Sequence, residues 1–155
     1  MKNSHGIPQL FLRIALGLGF IIPVMDRFGL IGAPDSGKVA WGDWSHFSAY
    51  TNVLMPFLNK TGADVVGMLA TLAEIAIGIG LLIGFKTKIV ALGAAIITFV
   101  FAVIMIFSLG IGAPFKYPVF VFTGAGLLLS SLHQFNWSID NLLLPKGNNT
   151  AKNID

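Results

Sequence analysis

The 155 residues contain no cysteine. That excludes disulfides, thiol redox chemistry, cysteine-ligated iron–sulfur clusters and c-type haem attachment. Charge is scarce too: Asp, Glu, Lys and Arg make up 11% of the chain, against about 25% in soluble domains. So few charges cannot cover a water-facing surface, and 55% of the residues are hydrophobic, with a mean hydropathy of +0.79. Lipid is the solvent this composition suits. The net charge of +3 does not signal nucleic acid, because no basic patch with interleaved aromatics is present; the lysines sit at the ends of apolar runs. No Walker loop, dinucleotide fingerprint, nucleophile elbow or zinc motif appears. Asp43 and His46 stand three apart, a spacing that can put two ligands on one helix face. Two ligands are too few for a metal site, and His5 and His133 are expected on the opposite side, so no metal is expected.

What is present is four long apolar runs. A transmembrane helix needs about 20 mostly apolar residues, and windows at about 8–27, 64–85, 88–109 and 117–135 qualify. Pro8 suits a first helical position. "GFKTK" reads as a tight basic turn between the second and third windows, and "GIGAPFKYP" as the turn between the third and fourth. Short turns make consecutive helices antiparallel neighbours. The expected fold is therefore all-α: a single domain over 1–145 built as an antiparallel transmembrane four-helix bundle. The polar tail 146–155 is expected to be disordered. A cleaved signal peptide in the first window is disfavoured, because Arg13 interrupts its apolar run and no small-x-small site follows. Lys2, Arg13, Lys86, Lys88, Lys146 and Lys152 fall on one side, and Arg27, Lys38, Lys60 and Lys116 on the other. That bias favours both termini in the cytoplasm.

The segment between the first two windows holds a further helical pattern at about 43–58. Asp43 is a candidate N-cap. Trp44, Phe47, Leu54, Met55 and Leu58 share one face, with Ser45, His46, Ala49 and Asn52 largely on the other. Trp41, Trp44 and Tyr50 are residue types that favour headgroups. The pattern predicts an amphipathic helix lying in the membrane interface.

Glu74 sits alone in "LATLAEIAIGIG", near the middle of the second window. A charge at that depth costs roughly 2.5–3.5 kcal/mol on insertion scales. It must either remain a neutral acid or face inward and meet partners. Thr98 and Thr123 lie at similar depth. Arg13 is close enough in depth to pair with it, but helical side chains lean toward their own N-terminus, which tilts the two apart. Snorkelling of Arg13 to the headgroups is the alternative. Pro23 frees a backbone carbonyl in the first window, and a niche there would gather Asp26, Arg27, Glu74, Trp44 and Tyr50. The bland reading of the same residues is interhelical glue plus interfacial anchors. Small residues at four-residue spacing (Ala76, Gly80 and Gly84; Gly67 and Thr71; Ala91 and Ala95) mark close helix packing.

In "FLRIALGLGF" followed by "DRFG", "WSHFSAYTNVLMPFL", "LAEIAIGIGLLIGFKTK" and "SLGIGAPFKYPVF", the chain resembles the DoxX family of small four-span membrane proteins, from about residue 10 to 129. The family's intramembrane arginine, acidic–basic pair and span-two glutamate match Arg13, Asp26 with Arg27, and Glu74. The resemblance implies a bacterial inner-membrane component linked to redox metabolism, since relatives include the large subunit of thiosulfate:quinone oxidoreductase and others associated with superoxide-removing partners. It implies a quinone as cofactor and a redox partner protein. With no flavin motif or redox thiol in the sequence, the chain reads at most as a subunit of such an enzyme. Glu74, Arg13, Asp26 and Arg27 are the catalytic candidates, and Trp44, Tyr50, Thr98 and Thr123 the candidate quinone niche. The alternatives are a small-solute or proton pathway, in a homo-oligomer, and a non-catalytic scaffold or assembly protein.

Overall fold

The structure is a computed structural model and describes residues 6–143. The tail 146–155, with Lys146 and Lys152, lies outside the described residues, as do Lys2 and His5. The described residues form seven helices and no strand: α1 Gly6–Arg27, α2 Trp44–Leu54, α3 Lys60–Ile83, α4 Thr87–Leu109, α5 Ala113–Lys116, α6 Val119–Ser131 and α7 Ile139–Leu143. Helices α1, α3 and α4 are long and apolar enough to cross a membrane, which makes this a membrane protein. Large apolar side chains on them point away from the interior, among them Phe11, Leu69, Leu72, Ile96 and Phe107. A continuous belt of this kind is incompatible with a monomer in water and is covered by acyl chains in a membrane.

Local chemistry sets the helix ends. α3 starts four residues earlier than the apolar window because Asn59 caps it, accepting from the Gly62 N–H at 2.7 Å. It stops at Gly84, whose left-handed backbone (φ 68°) turns its N–H onto the carbonyls of Gly80 and Leu81. Lys86 is left-handed as well, at φ 46°, a costly conformation for a residue with a side chain. Asp140 of α7 holds that turn in place. Its carboxylate accepts the Lys86 and Thr87 N–H groups at 2.7 Å each, and its own N–H donates to the Gly84 carbonyl at 2.9 Å. The expected loop "GIGAPFKYP" contains the single turn α5. The fourth expected span is helical only over the 13 residues of α6. At 1.5 Å per residue that is about 20 Å, short of a typical hydrocarbon core. Proline at 118 delays its start, and the backbone becomes extended at Leu132.

α1 packs chiefly on α3 and α4 on α6, with α3 touching α4 and α6 returning to α1. The seams use small residues. A Cβ on Gly126 would lie 2.8 Å from the Ala91 carbonyl oxygen and 2.9 Å from the Ala95 nitrogen, and across α1 and α3 a Cβ on Gly17 or Gly78 would lie 3.2 Å from the other's carbonyl oxygen. The core behind them is Leu16, Phe20, Leu81, Ala94 and Leu129.

α2 lies mainly against α3. Asp43 is its N-cap, with its carboxylate accepting the His46 N–H at 2.8 Å. The buried face differs from the expected one: it is Phe47, Ser48 and Thr51, while Trp44, Leu54, Met55 and Leu58 are only half-buried. The reason is polar satisfaction. Ser48 donates to the Asp64 carboxylate and Thr51 to the Phe47 carbonyl, so both hydroxyls are buried with a partner, and Thr51 and Phe47 fit against Gly67 of α3. Ser108 of α4 donates to the Leu54 carbonyl and fixes the other end.

Candidate functional site

Arg27 is the last residue of α1, and Glu74 lies well inside α3. Arg27 meets Thr71 and Glu74 while Gly17 meets Gly78, so the two helices run antiparallel. Each side chain leans toward its own N-terminus. Arg27 therefore leans inward, and Glu74 leans toward the end where Arg27 sits. They meet as an ion pair through Arg27 Nη1 and Glu74 Oε2, both about 95% buried. Arg27 Nη1 also donates to Thr71 Oγ1 at 2.8 Å, and Thr71 passes its own proton to the Gly67 carbonyl. The guanidinium lies 4.0 Å from the Phe47 ring centre and 5.2 Å from that of Trp41, an arrangement that compensates a desolvated cation. One polar atom of the pair remains without a partner among the described residues, Arg27 Nε, since Glu74 Oε2 is engaged by Arg27 Nη1.

Asp26 does a different job from its neighbour. One position on, the helix has turned by about 100°, so Asp26 faces the 28–43 loop. Its carboxylate accepts the N–H groups of Ala40, Trp41 and Gly42 at 3.0, 3.1 and 2.9 Å. That clamp is what carries the Trp41 indole over Arg27 and against Phe47 and Tyr50.

Two cavities adjoin at Arg27, and Glu74 lines the smaller one. The wider, about 850 Å³, is a cleft between α1, α2, α3 and α4. It is mainly apolar, with Asp26, Arg27, Lys38, His46 and Tyr50 among its lining residues. Burial pushes the Tyr50 phenol above its ordinary 10.0, and Tyr117 beside it adds to the shift, so Tyr50 stays a neutral donor. The smaller cavity, about 230 Å³, is the more open of the two and has Glu74 and Thr98 among aromatic walls. Arg27, Trp41 and Tyr117 belong to both. At the rim, the His46 Nδ1 lies 2.8 Å from the Asp43 carboxylate. That hydrogen bond raises the histidine above 6.5 and helps lower Asp43 below 3.8, where the larger contribution is the backbone N–H of His46.

Of the residues expected here, Asp26, Arg27, Glu74, Tyr50 and Thr98 come together. Thr123 stands one step back, 2.9 Å from the Thr98 hydroxyl. Trp44 does not line either cavity; it stacks on Phe28, and Trp41 occupies the place expected for it. Arg13 is at the other end of α1. It neither pairs with Glu74 nor snorkels: it is 1% exposed and donates to the carbonyl of Trp137 at 2.6 Å and of Asn136 at 3.5 Å. Sequence reasoning missed Tyr117, Phe101 and the role of Thr71. Thr71 carried a usable signal, since it lies three residues before Glu74 on the same helix face. Tyr117 and Phe101 carried none.

No family model matches the chain, no curated protein matches it, and no solved structure does.

Proposed function

We propose that this chain is a DoxX-like membrane subunit of a quinone-linked oxidoreductase system, serving sulfur-compound or oxidative-stress metabolism. The observation that carries the reading is the buried Arg27–Glu74 pair, with two mainly apolar cavities adjoining at Arg27 and Glu74 lining the smaller. Ligand sites are typically apolar concavities with a few convergent polar groups. The unpartnered Arg27 Nε supports the fit: it is a free donor for an oxygen-bearing ligand that enters from lipid, beside the Glu74 carboxylate that lines the smaller cavity. Bound there, a quinone supplies the two-electron, two-proton step, with the electrons arriving from a redox partner protein. Arg27 offers its remaining N–H to a ligand oxygen. Glu74 holds or releases a proton at its carboxylate. Phe47 and Trp41 keep water from the guanidinium.

In the same reading α1, α3, α4 and α6 form a four-span bundle in a bacterial inner membrane, with α2 in the interface over the cleft. Gln9 near the start of α1 donates to the Asn136 carbonyl at 3.1 Å. That closeness of the two chain ends supports both termini lying on one side, the cytoplasmic one by the lysine bias.

The test is purification in mild detergent, followed by solvent extraction and mass spectrometry of bound quinone and of co-purifying protein. Quinone retained by the native chain and lost from Glu74→Gln is the expected result. A Glu74→Gln protein that keeps full partner activity per complex and only loses yield would establish the scaffold reading instead.

A further inference from the structure

The smaller cavity has a composition of its own. Phe20, Phe101, Phe122, Trp41 and Tyr117 put aromatic faces and edges around it, and the polar groups that reach it include Arg27, Glu74 and Thr98. Thr98 already donates into its own helix and shares a hydrogen bond with Thr123. Arg27 keeps an open donor at Nε, while Glu74 Oε2 is engaged by Arg27 Nη1. At about 230 Å³ the space would hold several waters at roughly 30 Å³ each, but ordered water needs two to four polar partners apiece, and these walls supply few. Rings fit such walls better, because aromatic side chains attract other rings edge to face or offset. The wider cleft is different in kind. Beside aromatic residues its walls carry many aliphatic side chains, such as Ile22, Val66, Ile104 and Met105, none of which lines the smaller cavity, and these suit a flexible chain.

The geometry points to a divided site: the smaller, aromatic-walled chamber takes the flat, oxygen-bearing ring of an amphiphile, and the wide cleft takes its apolar tail. Arg27 Nε donates to a ring oxygen, the Glu74 carboxylate accepts from the hydroxyl of the reduced ring, and Trp41 and Tyr117 line both spaces. This assignment rests on the quinone-class reading above and places the headgroup in a chamber that excludes Trp44 and Tyr50. Gly19 sets the chamber's size, since any side chain there would collide with the Phe122 ring.

The experiment measures binding of a decyl-tailed benzoquinone and of its tail-less counterpart to the purified full chain in detergent, by tryptophan quenching and calorimetry. Thr98→Leu narrows the chamber and Ala70→Leu narrows the cleft. Thr98→Leu is expected to weaken both probes by about tenfold or more, and Ala70→Leu to weaken the decyl probe more than the tail-less one. If Thr98→Leu does not give a monodisperse, helical protein, Phe122→Trp fills the same chamber from α6. Decyl-probe binding that survives both chamber variants while falling with Ala70→Leu would overturn the divided site and leave the quinone reading standing. Failure of the native chain to bind either probe would sink both.

Discussion

Arg13 and Arg27 lie fourteen positions apart on α1, almost four full turns, so they share a face about 21 Å apart along the axis. Both are buried, at 1% and 4% exposure. Their surroundings differ in kind. Arg13 is received by backbone carbonyls of the 136–137 segment, next to the turn that Asp140 ties to α3 and α4. Arg27 is received by a carboxylate, a hydroxyl and two aromatic rings, beside open space. A carbonyl cradle satisfies a guanidinium and closes an end of the protein. A carboxylate at the same depth adds a group that can take up or give up a proton, and the cavities beside it let a ligand reach that group. The same residue type, on the same face of one helix, is structural at one end and available for chemistry at the other.

The sharpest way to break this comparison is a double-mutant cycle at the cleft end. Arg27→Leu strands a buried carboxylate and should cost about 3 kcal/mol, the usual penalty for removing one partner of a buried pair. Adding Glu74→Gln should recover a good part of that loss. Thermal midpoints in detergent check it, and a double variant no more stable than the single one would mean the pair is not coupled. Arg13→Ala should cost about 2 kcal/mol by leaving two carbonyls unpaired, but no carboxylate change should rescue it. Quinone-probe binding should persist in Arg13→Ala; its loss in a folded protein would show that the two ends are not independent.

A smaller effect is expected from Asp140→Asn. It removes the negative charge from the N-terminus of α4 and weakens the bonds to Lys86 and Thr87, for a loss of about 1 kcal/mol. Amide exchange should quicken at residues 84–88 while the cleft residues keep their protection.

The smallest effect is a pH dependence at the rim. His46 is raised above 6.5 by Asp43, so its contribution to α2 is full below 6.5 and fades as pH rises through its folded value. Asp43 is lowered below 3.8, so its contribution holds above 3.8 and fades as pH falls through its folded value. Both side chains are well exposed, which keeps the effect small. Asp43→Asn preserves the N-cap but should return His46 toward 6.5 in an NMR titration. An unchanged titration would show that the carboxylate's charge is irrelevant at the rim.

Much of the fold was legible because hydropathy acts locally. Three apolar windows became α1, α3 and α4, with ends moved by a few residues where Asn59 or Gly84 supplied a cap. The fourth window was less legible, since it ran on to Phe135 through Leu132, His133 and Gln134 while the helix stops at Ser131. Part of the site was legible too. A lone intramembrane glutamate and an Asp–Arg pair at a helix end are conspicuous against lipid. The partner of Glu74 was within reach of the same argument, because the rule that tilts Arg13 away from Glu74 also tilts Arg27 toward it. Trp41 was not, since its position depends on three N–H groups closing on Asp26 from a loop with no periodicity.

By itself, then, the sequence determined the solvent, the helical class, the approximate spans and which ionisable groups had to be reconciled with lipid. These follow from composition and from side-chain spacing along a single helix. Only the tertiary structure decided that Glu74 pairs with Arg27 rather than Arg13, that Trp41 rather than Trp44 joins the site, and that two cavities adjoin at Arg27. Each of these depends on which face of one helix is pressed against another, and that is set by the small-residue seams and the polar groups that had to be satisfied between them.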